Sequence, residues 1–256
     1  MKKATLLILA SVITGMAGSC QQQAPGKDNN RDTNPDRILV FTKTAGYYHE
    51  SIPDGIAALQ KLGKDNGITV DTTKNADLFT SDNLRQYRAI VFLSTTGDVL
   101  NNEQQAAMEK YIHDGGGFVG IHAAADTEYD WPWYNNLVGA YFKSHPNNPN
   151  VRKAVVNVTD KNHLATRQLP DQWERSDEWY NYRNIYAKIK VLALLDESTY
   201  EGGENGDSHP IIWYHAYDGG RAFYTGGGHT SDTFREPRFI QHLLGGLKYA
   251  MGVPDQ

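Results

Sequence analysis

Cysteine is almost missing from this 256-residue chain; Cys20 is the sole one. A single thiol excludes a disulfide within the chain and a thiolate metal site. No HExxH occurs, nor any pair of histidines four residues apart, so the usual helical zinc signature is absent. No GxGxxG opens a helix after the first strand, which argues against a bound nicotinamide. Net charge is −5 and no basic patch stands out, so nucleic acid is excluded as a partner. There is no internal repeat.

What is present begins with a leader. In residues 1–20, Lys2 and Lys3 precede an apolar run from Leu6 to Ile13, and Ala17, Gly18 and Ser19 lead into Cys20. This reads as a signal peptide, and its apolar run is too short for an ordinary spanning helix. The small residues before the cysteine resemble the lipobox of bacterial lipoproteins, which implies cleavage before Cys20 and its lipidation. The expected location is the bacterial cell envelope, lipid-anchored, periplasmic or at the cell surface. Residues 21–36 hold almost no large apolar side chains and read as a flexible tether. About 220 residues remain, enough for one α/β domain with a sizeable core.

Apolar runs predict buried strands at Ile38–Thr42, Ala89–Leu93 and Phe118–Ile121, and a further strand is expected at Ile68–Thr72. Helices fall between them. Ser51 and Pro53 suit a helix start, Ile56, Leu59 and Leu62 form its apolar stripe, and Gly67 helps end it. Asn101 or Asn102 starts the next, with Met108, Tyr111 and Ile112 on one face. Strands alternating with helices predict right-handed crossovers and a doubly wound, mostly parallel sheet with helices on both faces. The second half is less regular, with strands expected at 154–158, 191–195, 210–214 and 221–225 and a closing helix over 235–251.

The stretch Gly115 to Trp133, GGGFVGIHAAADTEYDWPW, organises the rest. His122 ends a predicted central strand, where an open parallel sheet presents its ligand crevice. Asp126, Glu128 and Asp130 bring carboxylates near that imidazole. The plainer alternative is a histidine that caps the strand and binds a neighbouring carboxylate.

Four segments together resemble one family. TKTAGYYHESI at 42–52, GGGFVGIHAAADTEYDWPWYNNLVGAYFKSHP at 115–146, SDEWYNY at 176–182 and GGRAFYTGGGHTSDTF at 219–234 are similar to the ThuA, or trehalose-utilisation, family. The resemblance spans residues 37–253. It implies a flavodoxin-like fold related to class I glutamine amidotransferases. It also implies carbohydrate catabolism, with trehalose, related disaccharides or their 3-keto derivatives as the substrate class. The amidotransferase relatives place a cysteine nucleophile at the turn after a central strand. This chain has His122 there, so a thioester intermediate and glutaminase activity are ruled out.

His49, His122, His145 and His229 each lie in or after a polar loop that follows a predicted element, and such loops converge on one sheet edge. Two readings of them stand side by side. In the first, His122 is a base, Glu178 or Asp126 orients it or protonates a leaving oxygen, and Tyr47, Trp131, Trp133 and Trp179 stack on a sugar. In the second, His49, His122 and His229 with a carboxylate hold a divalent metal such as zinc, iron or manganese. Gly226–Gly228 could cradle an anion, although no lysine follows, and a tight turn explains them as well. The functional expectation is a sugar-modifying hydrolase, lyase or isomerase. Its alternative is a non-catalytic sugar-binding lipoprotein serving a partner enzyme such as a sugar oxidoreductase. The membrane is a partner only through the lipid anchor.

Overall fold

The computed structural model describes Met1 and residues 36–254. Cys20 and the tether as far as residue 35 lie outside the described residues. No helix among the described residues is long and apolar enough to cross a membrane.

The first half contains β1 (Arg37–Phe41), α1 (Ile52–Asn66), β2 (Thr69–Thr73), a short α2 (Ser81–Leu84), β3 (Ala89–Leu93), α3 (Asn102–His113) and β4 (Gly117–Ile121). A 3-10 turn over His122–Asp126 leads to α4 (Pro132–Val138). Then come β5 (Tyr141–Ser144), β6 (Val151–Val158), β7 (Gln172–Glu178), β8 (Asn181–Arg183), β9 (Lys190–Asp196), β10 (Pro210–Tyr217), β11 (Gly220–Thr225) and α5 (Pro237–Ala250).

Nine strands form one sheet in the order β2-β1-β3-β4-β11-β10-β9-β6-β7, and β5 pairs with β8 separately. From β2 to β11 all neighbours are parallel. Every residue of β3 and β4 is buried, as the unbroken apolar runs require. Helices cover both faces. Phe118 of β4 meets Tyr134 of α4, while Phe223 of β11, in register with the next residue Val119, meets His242 of α5. The α/β expectation holds, and the strands expected in the second half are present.

From β11 to β7 the neighbours are antiparallel. This half curls over α5. Trp173 of β7 lies 6.5 Å from Phe239 and 6.0 Å from His242 between ring centroids, and its indole N–H donates to Glu236 at 2.8 Å. In α5, Gly246 lets the helix settle on Phe223, since a Cβ there would come within 2.3 Å of that ring. The helix is thus held between the parallel sheet and β7.

Local signals account for the ends of the helices. Asn101 and Gln104 form a reciprocal capping box at α3, and Gly67 closes α1 in the left-handed conformation at φ 72°. Ser51 occupies the N-cap position of α1 but makes no capping hydrogen bond. Its buried hydroxyl donates to the Gly228 carbonyl at 2.9 Å, tying the loop after β1 to the loop after β11.

Candidate functional site

β1, β4, β7 and β11 all run in one direction, so the segments after them share an edge of the sheet. His49 comes from the loop after β1, His122 from the residue after β4, Glu178 from the end of β7 and His229 from the loop after β11. Their ligand-capable atoms all lie within 4.8 Å of one another. The His49 ring centroid is 4.9 Å from that of His122 and 5.2 Å from that of His229.

His122 sits at φ 50°, a left-handed conformation that side chains rarely adopt. Such backbone costs roughly 1–3 kcal/mol and persists only where its surroundings enforce it. The enforcement is visible. The His122 carbonyl accepts from the Tyr224 hydroxyl at 2.8 Å, and its ring Nδ1 lies 3.0 Å from the Gly226 carbonyl. A carbonyl can only accept, so Nδ1 carries the hydrogen and Nε2 faces the centre. The Tyr180 ring covers His122 at 4.3 Å.

Glu178 receives the cluster. Its Oε2 lies 3.3 Å from His122 Nε2 and 3.0 Å from His229 Nδ1, and Oε1 lies 3.6 Å from His145 Nε2. Neither His122 Nε2 nor His229 Nδ1 makes a hydrogen bond there, despite the short separations. Burial pushes the Glu178 carboxyl up, but the adjoining His122 and His229 imidazoles together outweigh it and hold the group well below the usual range. Burial, followed by repulsion from His122 and His229, lowers His49 to about 2, so its ring is neutral at ordinary pH. Asn150 donates from Nδ2 to Glu178 Oε1 at 2.6 Å and lies 3.3 Å from His229 Nε2.

Asp177, next to Glu178, is fully buried and fixes the His229 loop. It accepts from the backbone N–H of Gly228 at 2.9 Å, that of His229 at 3.0 Å and the Thr233 hydroxyl at 2.9 Å, with Arg175 at 3.3 Å. Gly226 and Gly228 turn their carbonyls towards His122 and Ser51, and the N–H groups of Gly228 and His229 are taken by Asp177, so the anion this run holds is a carboxylate of the chain itself.

The sequence matches the family described as ThuA, trehalose utilisation, over residues 37–250. The chain belongs to the ThuA family. Two solved ThuA-like proteins share its fold at 22% identity. The one from Bacteroides uniformis has a TM-score of 0.72 and aligns over 85% of this chain and 92% of its own. The one from Parabacteroides merdae has a TM-score of 0.70, with 87% and 92% aligned. A β-galactosidase from Bacillus circulans sp. alkalophilus is similar to 86% of this chain through 32% of its own, at 12% identity and a TM-score of 0.57, which is likeness of fold alone. None of the curated proteins matches the sequence.

In this ThuA domain, the histidines named from the sequence meet as expected: His49, His122 and His229 surround Glu178, with His145 beside it. Asp126 remains within electrostatic reach of His122, His145 and Glu178. Burial raises its carboxyl, against a hydrogen bond from the Tyr129 hydroxyl. Tyr47 is 63% exposed and sets its ring edge-on to His49 at 4.9 Å, at the lip of the centre.

Other expected contacts are corrected. Glu128 turns away and accepts from the backbone N–H groups of Val99 and Leu100, while Asp130 is exposed. Trp131 and Trp133 stack on each other at 5.1 Å and donate to Glu109 and Asp218. Asp218 begins the turn before β11, whereas His229 follows its end, so Trp133 lies about 20 Å away at the opposite sheet edge. Trp179 is 1% exposed and donates to the Arg152 carbonyl, leaving no ring face for a ligand. Asp177 and Tyr180, which flank Glu178 and Trp179 in an acidic and aromatic run of the sequence, take up supporting positions, and Asn150 fills one the sequence did not single out.

Proposed function

We propose that this protein is an enzyme acting on a carbohydrate at the histidine–glutamate centre, with trehalose, a related disaccharide or a 3-keto derivative as substrate. The family description supports the substrate class. The observation that carries the reading is the convergence of three imidazoles on one ionised carboxylate behind exposed Tyr47.

Access decides which group meets the sugar. The His122 side chain is fully buried, whereas that of His145 is 27% exposed. His145 Nδ1 lies 2.8 Å from the Pro146 carbonyl, so that nitrogen bears the hydrogen and Nε2 is the open base. A carbonyl acidifies the adjacent C–H, so a keto-sugar needs one base at that carbon and one acid at the departing oxygen. His145 Nε2 takes the proton. Asp126, its carboxyl raised by burial, returns one to the oxygen. Glu178, His122 and His229 supply the buried polar field against which the sugar oxygen is held. Lipid anchoring through Cys20 would place this activity in the cell envelope.

Purified protein incubated with trehalose and with its 3-keto form, followed by NMR of the sugar, tests the reading. Product formation that falls at least 100-fold in Glu178→Gln is expected. Saturable binding without product would replace the enzyme with a binding protein, and neither binding nor turnover of any disaccharide would end the carbohydrate assignment.

A further inference from the structure

We propose that His49, His122, Glu178 and His229 form a binding site for one divalent first-row transition cation of the zinc, iron or manganese class. The inference deepens the proposed carbohydrate reading of the same centre, but it rests on the donor atoms and not on the substrate.

The first reason is orphaned nitrogen. His49 Nδ1, His122 Nε2 and His229 Nδ1 are buried without a hydrogen-bond partner, and the His49 and His122 residues are 2% and 0% exposed. An unsatisfied buried polar atom costs about 1–3 kcal/mol, and three at one point call for a common partner. The second is the character of those atoms. Nδ1 of His122 is committed to the Gly226 carbonyl, so in the neutral ring Nε2 is a lone pair. It faces a carboxylate oxygen 3.3 Å away that is also an acceptor. Acceptor facing acceptor is repulsive until a proton or a cation enters between them. The Gly226 carbonyl is the kind of outer partner that orients a metal-ligating imidazole.

The third reason is size. About a tetrahedral ion with bonds of about 2.1 Å, ligand atoms stand roughly 3.4 Å apart. The donor atoms here already lie within 4.8 Å of one another, so small side-chain adjustments close the shell. Three imidazole nitrogens and one carboxylate oxygen suit borderline transition ions, whereas magnesium and calcium prefer oxygen. A bound ion would draw electron density from a sugar oxygen held against it.

The full chain, stripped with a chelator and dialysed, is titrated with Zn²⁺ and with Co²⁺. Expected are one ion per chain by elemental analysis, Co²⁺ absorption bands of a four- or five-coordinate nitrogen–oxygen site, and a Tm rise of roughly 5–10 °C at a hundredfold excess over Kd. Glu178→Gln and His229→Gln should each weaken binding at least tenfold, while His113→Gln, outside the cluster, leaves it unchanged. Should either cluster variant unfold, the cobalt spectrum and stoichiometry of the unaltered protein still decide. No stoichiometric ion, a purely hexa-aquo cobalt spectrum, or binding indifferent to both cluster variants overturns the site. Failure to bind an ion in protein that still turns over sugar would overturn the site while leaving the carbohydrate reading intact. Tight ion binding with no sugar turnover would do the reverse.

Discussion

His122 Nε2 lies 3.3 Å from Glu178 Oε2, although four strands separate β4 from β7 in the sheet. In a flat sheet five strand spacings would hold these residues about 24 Å apart. Twist and curl of the antiparallel half around α5 remove that distance. The centre therefore depends on Trp173 and Arg175 packing against Phe239 as much as on its own side chains.

Asp177 is where this dependence is most concentrated. Each of its oxygens accepts a backbone N–H from the 226–229 loop or from Glu178, and Arg175 stands 3.3 Å off. Asp177→Asn keeps the shape, but either amide orientation points an NH₂ at a buried donor and leaves Arg175 less compensated. A loss of about 3 kcal/mol in urea denaturation is expected. Unchanged stability would mean that the network does not hold the loop.

Gly226 has a steric reason for lacking a side chain. A Cβ would stand 2.4 Å from Ile211 Cδ1 and 2.6 Å from the Tyr182 hydroxyl oxygen. Gly226→Ala must shift the backbone, and with it the carbonyl that orients His122. The expected stability cost is about 1–3 kcal/mol. Turnover should fall at least tenfold in protein that still unfolds cooperatively, read by steady-state kinetics beside a thermal melt. Parental turnover would show that this carbonyl does not set the His122 ring.

Much of this was legible in sequence, for physical reasons that differ by element. β1 and β3 are buried on both faces and so read as unbroken apolar runs. His49, His122 and His229 were readable because each follows a strand whose carboxyl end is fixed by a local pattern. β7 was not. Its inward residues are Trp173, Arg175 and Asp177, so polar side chains hide the period-two alternation. α4 begins at Pro132 in a run of aromatic and amide residues, and β5 and β8 are too short to show a period. Glu178 was a candidate by residue type, but its contact with His122 is made by the curl, which no local window contains. Trp131 and Trp133 were placed at the wrong edge because an aromatic ring suits a core and a sugar equally well.

Tyr47 and Trp133 give opposite expectations for the same kind of substitution. Tyr47 stands at the lip against His49, whereas Trp133 is anchored to Asp218 at the far edge. Tyr47→Ala should raise KM about fivefold to tenfold with kcat within about twofold, as expected for a stacking surface contributing about 1 kcal/mol. Trp133→Ala should leave both constants unchanged. A larger KM effect at Trp133 would move the sugar path away from the histidines.

Acid should destabilise the fold through its buried neutral histidines. His242 is lowered to about 4, first by burial and against the hydrogen bond it donates to the Ala165 carbonyl at 2.9 Å. An unfolded histidine titrates near 6.5, so between about 6.5 and 4 the unfolded chain binds a proton that the folded chain refuses. Stability then falls with falling pH by about 1.4 kcal/mol per unit for this residue, roughly 3 kcal/mol over the window, and levels off below it. His49 acts in the same direction and, lowered to about 2, continues to lower pH. Urea melts of ion-free protein from pH 7 to 4 should show this slope. In His242→Asn, whose amide can still donate to Ala165, the slope should be shallower by one proton. An equal slope in the variant would mean that His242 takes up its proton without unfolding.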